Sequence, residues 1–263
     1  MRRLGMWLHA SVAVAALALA ASPSVAQQAG ASEEAADGSA LGEIVVTAQR
    51  RQQSLQDVPI AVSAFSGQEL AAKQIRTTID IPRMVPNMVG ATNVGIGSAN
   101  SYFIRGLGNT ESIATFDPPV GTYVDDIYVS RQNANNFAFF DVDRIEVLRG
   151  PQGTLFGRNT TGGLVNYIAN KPTESFEAGG NLSYSRFDVI DGEGHVSGPL
   201  TDSLRARLAY RGTFSNEGWQ YSNTRPDDTL GKQRKQSGRA ILEWRPLDSI
   251  TTTLTLSGWT DHS

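Results

Sequence analysis

The sequence predicts a small α+β domain followed by an incomplete antiparallel transmembrane β-barrel, about five strands with an open edge. Three observations predict it. An export signal opens the chain. Residues 55–172 mix short strands, one capped helix and loops rich in Gly and Asn. Beyond residue 177, apolar and polar residues alternate in runs close to the length of a tilted bilayer-crossing strand, about 9–11 residues.

Bulk composition narrows the function classes. Net charge is −3, with no basic excess, so no nucleic-acid partner is expected. The absence of cysteine removes disulfide staples, thiolate metal sites and cysteine nucleophiles. The histidines are His9, His195 and His262, and His9 lies in the export segment. No histidine-rich metal site, no cofactor and no metal ligands are therefore assigned.

Residues 1–26 read as a signal peptide. Arg2 and Arg3 supply the positive start, Ala10–Ala21 the apolar run, and Ser24-Val25-Ala26 the small residues that a signal peptidase needs. The run is too short to span a bilayer as a helix, which takes about 20 residues. Residues 27–54 form a flexible tail. Its first part, Gln27 to Gly42, is rich in Ala, Gly, Ser and acidic residues and cannot bury enough apolar surface to order itself. It leads into Glu43-Ile44-Val45-Val46-Thr47-Ala48, a β-branched run with no obvious sheet to join. Two readings stay open: the first strand of the next domain, or a docking peptide that adds to the sheet edge of another protein.

In residues 55–172, Pro59 to Phe65 reads as a strand. Ser66-Gly67-Gln68-Glu69 has capping-box spacing, so a helix starts at about Gly67 and runs to about Gln74. Ile79 to Val85, with Pro82 inside it, is at most a short helix. Ser101 to Arg105 is a strand ended by Gly106. Gly121 to Ser130 is a hairpin turning at Asp125-Asp126, short polar residues that tolerate left-handed dihedrals. Arg144 to Leu148 and Gly163 to Ala169 are further strands. The glycine-rich loop between them lacks the Lys-Ser/Thr of a phosphate-binding loop, so its glycines serve tight turning. Asn159-Thr160-Thr161 is read as a chance match to a glycosylation acceptor. Asp125/Asp126 and Asp141/Asp143 are read as turn and strand-entry residues rather than as a glycosidase pair. An exported hydrolase would have to take His195 or His262 as its base, and no catalytic residues are assigned.

From 173 to 263 the pattern is that of a wall. Leu204, Ala206, Leu208, Tyr210 and Phe214 alternate with Arg205, Arg207, Ala209, Arg211 and Thr213, giving one apolar and one cationic face. Ala240, Leu242 and Trp244 alternate with Arg239 and Glu243, interrupted by Ile241. Ile250, Leu254 and Leu256 alternate with threonines. The five strands fall at 178–188, 192–198, 203–214, 235–245 and 249–260. Their connections are short at Gly198–Ser203 and Arg245–Ser249, and long at Asn216–Gln236. Tyr210, Phe214, Trp244 and Trp259 lie near run ends, as interfacial girdle residues do. A secreted sandwich also alternates and stays open on this pattern. Five strands cannot close a membrane barrel, and an open edge in lipid leaves each unpaired backbone group several kcal/mol out of balance. The expectation is an N-terminal fragment of something longer.

The order of export signal, strand peptide, α+β domain and bilayer-length strands resembles a TonB-dependent outer-membrane transporter. Glu43 to Ala48 (EIVVTA) is similar to a TonB box. Phe103-Ile104-Arg105-Gly106 is similar to the "IRG" element of the plug. Asp143 to Gly157 (DRIEVLRGPQGTLFG), with Gly162, Gly163 and Asn166, is similar to the longest plug signature, and Asn170-Lys171-Pro172 to the plug-to-barrel junction. The resemblance implies that residues 55–172 are a plug and residues 173–263 the first strands of a truncated barrel. It implies that TonB binds Glu43, Ile44, Val45, Val46, Thr47 and Ala48 by strand pairing. It also implies that Arg105 and Arg149 latch the plug to glutamates of the inner wall, on strands beyond residue 263. Candidate ligand contacts are Asn109, Thr110, Glu111 and Ser112 in one loop and Arg131, Gln132 and Asn133 in another. The implied ligand is a small molecule such as a ferric siderophore-type iron chelate, the implied location the outer membrane among its lipids. About 16 residues separate the cleavage site from Glu43, too few for a signalling domain. The alternative is an exported plug that binds TonB but transports nothing.

Overall fold

The computed structural model describes residues 44–92, 99–111, 115–132, 139–225 and 229–263. The expected signal peptide, the tail up to Glu43, and the candidates Glu43, Ser112 and Asn133 lie outside the described residues.

The β-branched run of the tail forms β1 (Val45–Val46), which pairs antiparallel with β2 (Gln53–Ser54). The peptide is therefore not isolated: it folds back on its own tail, and Val46 and Ala48 are buried. Strand β3 (Val62–Ser66) leads into helix α1 (Gly67–Ala72). Ser66 Oγ accepts from Glu69 N at 3.2 Å, the N-cap bond that the Ser-x-x-Glu spacing predicts. The helix stops at Ala72, short of the predicted Gln74, which takes a left-handed φ of +54°. The segment with Pro82 is a 3-10 turn, Thr78–Arg83, opened by a Thr77–Asp80 capping box.

The remaining strands of this half are β4 (Met88–Thr92), β5 (Asn100–Ile104), β6 (Val120–Val124), β7 (Ile127–Tyr128), β8 (Val142–Arg149) and β9 (Gly163–Ala169), with helix α2 (Gly153–Phe156) between the last two. β4 and β5 pair with each other. The main sheet runs β3-β8-β9-β6-β7, with β6 and β9 its parallel pair. Asp125 and Asp126 turn β6 into β7 at φ +50° and +65°, the geometry that short hairpins favour.

Each face of this sheet carries its own apolar cluster, so β9 is buried at every position. On one side Ile145 and Val147 of β8 and Val165 and Tyr167 of β9 pack with Leu70, Ile81 and Tyr102. On the other, Leu148, Leu164 and Phe156 pack with Val46 and Ala48 of the tail. The two clusters follow from strand parity alone.

Inside the first cluster the Tyr102 and Tyr167 hydroxyls meet at 2.7 Å, and Tyr102 also donates to Thr78 O at 2.7 Å. Burial pushes both phenols up, Tyr167 well above its usual value, because the low-dielectric core disfavours phenolate. The unfolded chain releases these protons first, near pH 10. The pair's stabilisation is thus intact below about pH 10 and is lost as pH rises above it. Tyr167→Phe should flatten the fall in the urea midpoint between pH 8 and pH 11. An unchanged slope would remove the pair from the account.

The second half is a single antiparallel sheet ordered as β10 (Glu177–Ser185), β11 (Val189–Thr201), β12 (Leu204–Ser215), β15 (Arg234–Leu247) and β16 (Ile250–Asp261). A small hairpin, β13 (Gln220–Tyr221) with β14 (Thr229–Leu230), sits in the long link between β12 and β15. The strand count and the long link agree with the sequence reading; three details differ, the first being that β11, expected at 192–198, runs from Val189 to Thr201. The first strand ends at Ser185 rather than 188, because Phe187 and Asp188 adopt φ of +67° and +51° and turn the chain. Trp259 pairs with Ser237 and shares a face with Arg239 and Ser257, so it stands opposite the apolar face and is not a girdle residue. No helix among the described residues is long and apolar enough to cross a membrane.

Candidate functional site

The alternation in β12 sorts its side chains as the sequence predicts. Leu208, Tyr210 and Phe214 stand on an exposed apolar face, Leu208 at 59% exposure, while Arg207, Ala209 and Arg211 are buried on the other. The buried face meets Phe139, Phe140 and Asp141, just before β8. Arg207 grips Asp141 with two prongs, Nε to Oδ2 at 2.8 Å and Nη2 to Oδ1 at 2.5 Å. Arg211 is forked onto Asp191 of β11 at 3.0 and 2.7 Å and also donates to the Phe139 carbonyl. Arg239 lies 4.6 Å over the Phe140 ring and donates to the Phe140 carbonyl at 3.1 Å. From the other side Arg76 approaches Asp191 at 3.5 Å. Asp141 is therefore more than a strand-entry residue. It is the anchor by which the α+β half is held to the sheet, and sequence reasoning missed it. The signal was present as an arginine row on one face, without any indication of its partner.

The tail strand is also held. Thr47 donates through its backbone N–H (2.7 Å) and hydroxyl (3.1 Å) to Glu146 Oε1 on β8. Arg144 Nε reaches the same oxygen at 2.8 Å, and Arg50 lies 5.2 Å over the Phe156 ring. Ile44 to Ala48 thus lie on the second cluster, with Val45 exposed.

Arg105 and Arg149 come together at one end of the sheet. A Cβ at Gly150 would lie 3.5 Å from Arg105 Nη1, and Arg149 Nη1 donates to Pro86 O at 3.5 Å. Among the described residues neither has a carboxylate partner, and Arg149 Nε is buried with no hydrogen bond. The glycines that follow Arg149 work as turn residues: Gly150 has φ +109° and Gly157 +82°. The two candidate ligand loops also meet. Gln132 Nε2 donates to Asn109 O at 3.0 Å, and Asn109 Oδ1 accepts from Glu111 N at 2.8 Å. Thr110, Glu111 and Arg131 are exposed beside them. Asp125 and Asp126 tie their turn to β9, accepting from Ala169 N and Asn166 Nδ2, both at 2.8 Å. His195, on β11, faces Glu177 at 2.9 Å.

A folded stopper gripped by the polar face of a long-stranded sheet, whose opposite face is apolar and exposed, is the arrangement of a plug against the first strands of a β-barrel. Residues 54–164 match the family described as TonB-dependent Receptor Plug Domain. The pesticin receptor of Yersinia pestis is 26% identical over 206 residues, covering 78% of this chain and 30% of that protein. The iron-regulated outer membrane virulence protein of Vibrio cholerae serotype O1 is 28% identical over 193 residues, covering 66% of this chain and 28% of that protein. Among solved structures, the ferric yersiniabactin uptake receptor FyuA of Yersinia pestis superposes with a TM-score of 0.65 at 24% identity, covering 76% of this chain and 31% of that one. The chain resembles TonB-dependent receptors: a match to their plug domain over residues 54–164, followed by a few barrel strands. It spans 28–30% of the length of these curated relatives.

Proposed function

We propose that this chain is the plug-bearing part of an outer-membrane transporter that takes up a scarce ligand, a ferric siderophore-type iron complex, with energy delivered through TonB. The observation that carries this reading is the grip of Arg207 on Asp141, which holds a stopper against a wall whose far face is apolar. The iron complex is supported by the relatives: FyuA is named for ferric yersiniabactin, and an FpvA structure from Pseudomonas aeruginosa for bound pyoverdine.

In this reading residues 1–26 direct export, 27–54 carry the TonB-binding strand Glu43–Ala48, 55–172 close the lumen, and 173–263 begin the wall. Outer-membrane lipid covers Leu208, Tyr210 and Phe214. The ligand contacts the loops of Asn109–Ser112 and Arg131–Asn133. Arg105 and Arg149 supply fixed positive charge for wall glutamates, and a guanidinium suits a two-pronged carboxylate partner better than an ammonium does. TonB pairs with the box by strand addition, and the pull moves the plug. Nothing in this cycle makes or breaks a covalent bond.

The test expresses the chain in its full reading frame in iron-starved cells and follows a labelled ferric siderophore. Deleting residues 43–48 should abolish uptake while surface binding persists. Uptake that survives the deletion would refute the TonB dependence. Fractionation addresses the alternative. A membrane-bound, heat-modifiable product supports transport, and a soluble periplasmic one supports a TonB-binding module without transport.

A further inference from the structure

We propose that Glu146 is a positioning residue for the tail strand: its buried carboxylate clasps Thr47 and sets how readily residues 44–48 become available to another protein. The proposal rests on the reading of residues 43–48 as the TonB-binding strand, and deepens it.

Parity on β8 sends Ile145 and Val147 into one apolar cluster and Glu146 toward the other, against the tail. Glu146 is at 0% exposure between Ala64 of β3 and Asn166 of β9. A carboxylate removed from water in this way requires donors. It finds them at Oε1: Thr47 N at 2.7 Å, Thr47 Oγ1 at 3.1 Å and Arg144 Nε at 2.8 Å. Oε2 has no partner. Two of the donors thus belong to a single residue of the tail strand. When that strand lifts away, the carboxylate keeps only Arg144, itself shared with Asp143 at 2.5 Å.

The clasp also competes directly with strand addition. A partner strand binds through backbone N–H and C=O groups. The Thr47 N–H already points at Glu146, and the Ile44 carbonyl already accepts from Leu55 N at 2.9 Å. A docked strand and a strand paired with another protein are therefore mutually exclusive states. The equilibrium between them is set by what Glu146 loses.

The chain has no cysteine, so a single introduced thiol reports locally. Ala48→Cys sits on the buried side of the tail strand, and Leu164→Cys in the same cluster on β9. Each is placed in the full chain in detergent micelles, and reaction with a maleimide is timed. Glu146→Gln and Thr47→Val should each speed labelling of Ala48→Cys about tenfold or more, the size of a lost hydrogen bond to a charged group, while Leu164→Cys stays protected. Unchanged labelling of Ala48→Cys in both variants overturns the proposal. If Glu146→Gln also exposes Leu164→Cys, Thr47→Val alone decides the matter. A TonB C-terminal domain is then titrated against the parent and Glu146→Gln, with about tenfold tighter binding expected for the variant. Faster labelling without TonB binding to either protein supports the clasp and refutes the TonB reading instead.

Discussion

Arg207→Ala should destabilise the attachment of plug to wall by about 3–5 kcal/mol, the usual cost of stranding one member of a buried ion pair. The two side chains are at 3% and 4% exposure, so water cannot replace the lost partner. Asp141 has no freedom to turn away. Its backbone sits at φ +51°, Asn170 Nδ2 donates to its Oδ1 at 2.9 Å, and Asn170 N donates to its carbonyl at 3.1 Å. The two-pronged geometry adds orientation to charge, which lysine cannot reproduce, so Arg207→Lys should recover only part of the loss. The double variant Arg207→Leu/Asp141→Asn should recover most of the loss, because asparagine tolerates the left-handed backbone and keeps an acceptor for Asn170 while removing both charges removes their desolvation cost. Guanidinium unfolding of the full chain in micelles, read as a double-mutant cycle, checks this. A loss below about 1 kcal/mol for Arg207→Ala would mean that the pair behaves as a solvated surface bridge, and the anchor would have to lie elsewhere.

That ion pair marks the limit of what a sequence discloses. Local chemistry was legible wherever a residue answers to its neighbours. Ser66 and Glu69 announced the start of α1, Asp125-Asp126 the hairpin and Gly163–Ala169 a strand, but not that this strand, Asn166 included, is buried at every position. The alternation of β12 even fixed which arginines face inward. It could not name Asp141 as a partner, because the two residues stand 66 positions apart and no periodicity links them. Glu146 was hidden for a related reason. In an alternating strand a glutamate reads as a solvent-facing residue, and only the tail folding back over β8 turns it into a buried acceptor. Trp259 is a different kind of miss. Ile250, Leu254 and Leu256 occupy even positions and Trp259 an odd one, so parity already set it on the opposite face. Its closeness to a run end was the weaker signal.

Gly163→Ala should cost about 2–6 kcal/mol, combining backbone strain and overpacking, each about 1–3 kcal/mol. Gly163 opens β9 between β8 and β6, opposite Arg149 on one side and Val120 on the other. Its φ is +142°, which side-chain-bearing residues rarely adopt. A Cβ would stand 2.3 Å from the Leu148 carbonyl oxygen and 3.0 Å from Ile104 Cδ1. The carbonyl belongs to the strand ladder, so relief requires the end of β8 to move. Gly153→Ala is the matched comparison: no atom lies within 4 Å of its added Cβ, and in α2 it should be neutral or stabilise by up to about 1 kcal/mol. Equal guanidinium midpoints for the two variants would show that the Leu148–Gly163 approach is not a tight contact. The distinction bears on the proposed latch because the part of β8 that must shift carries Arg149. A lighter substitution effect on folding than on ligand uptake would place the demand at that arginine, since a methyl group that displaces Leu148 displaces the guanidinium one residue further along.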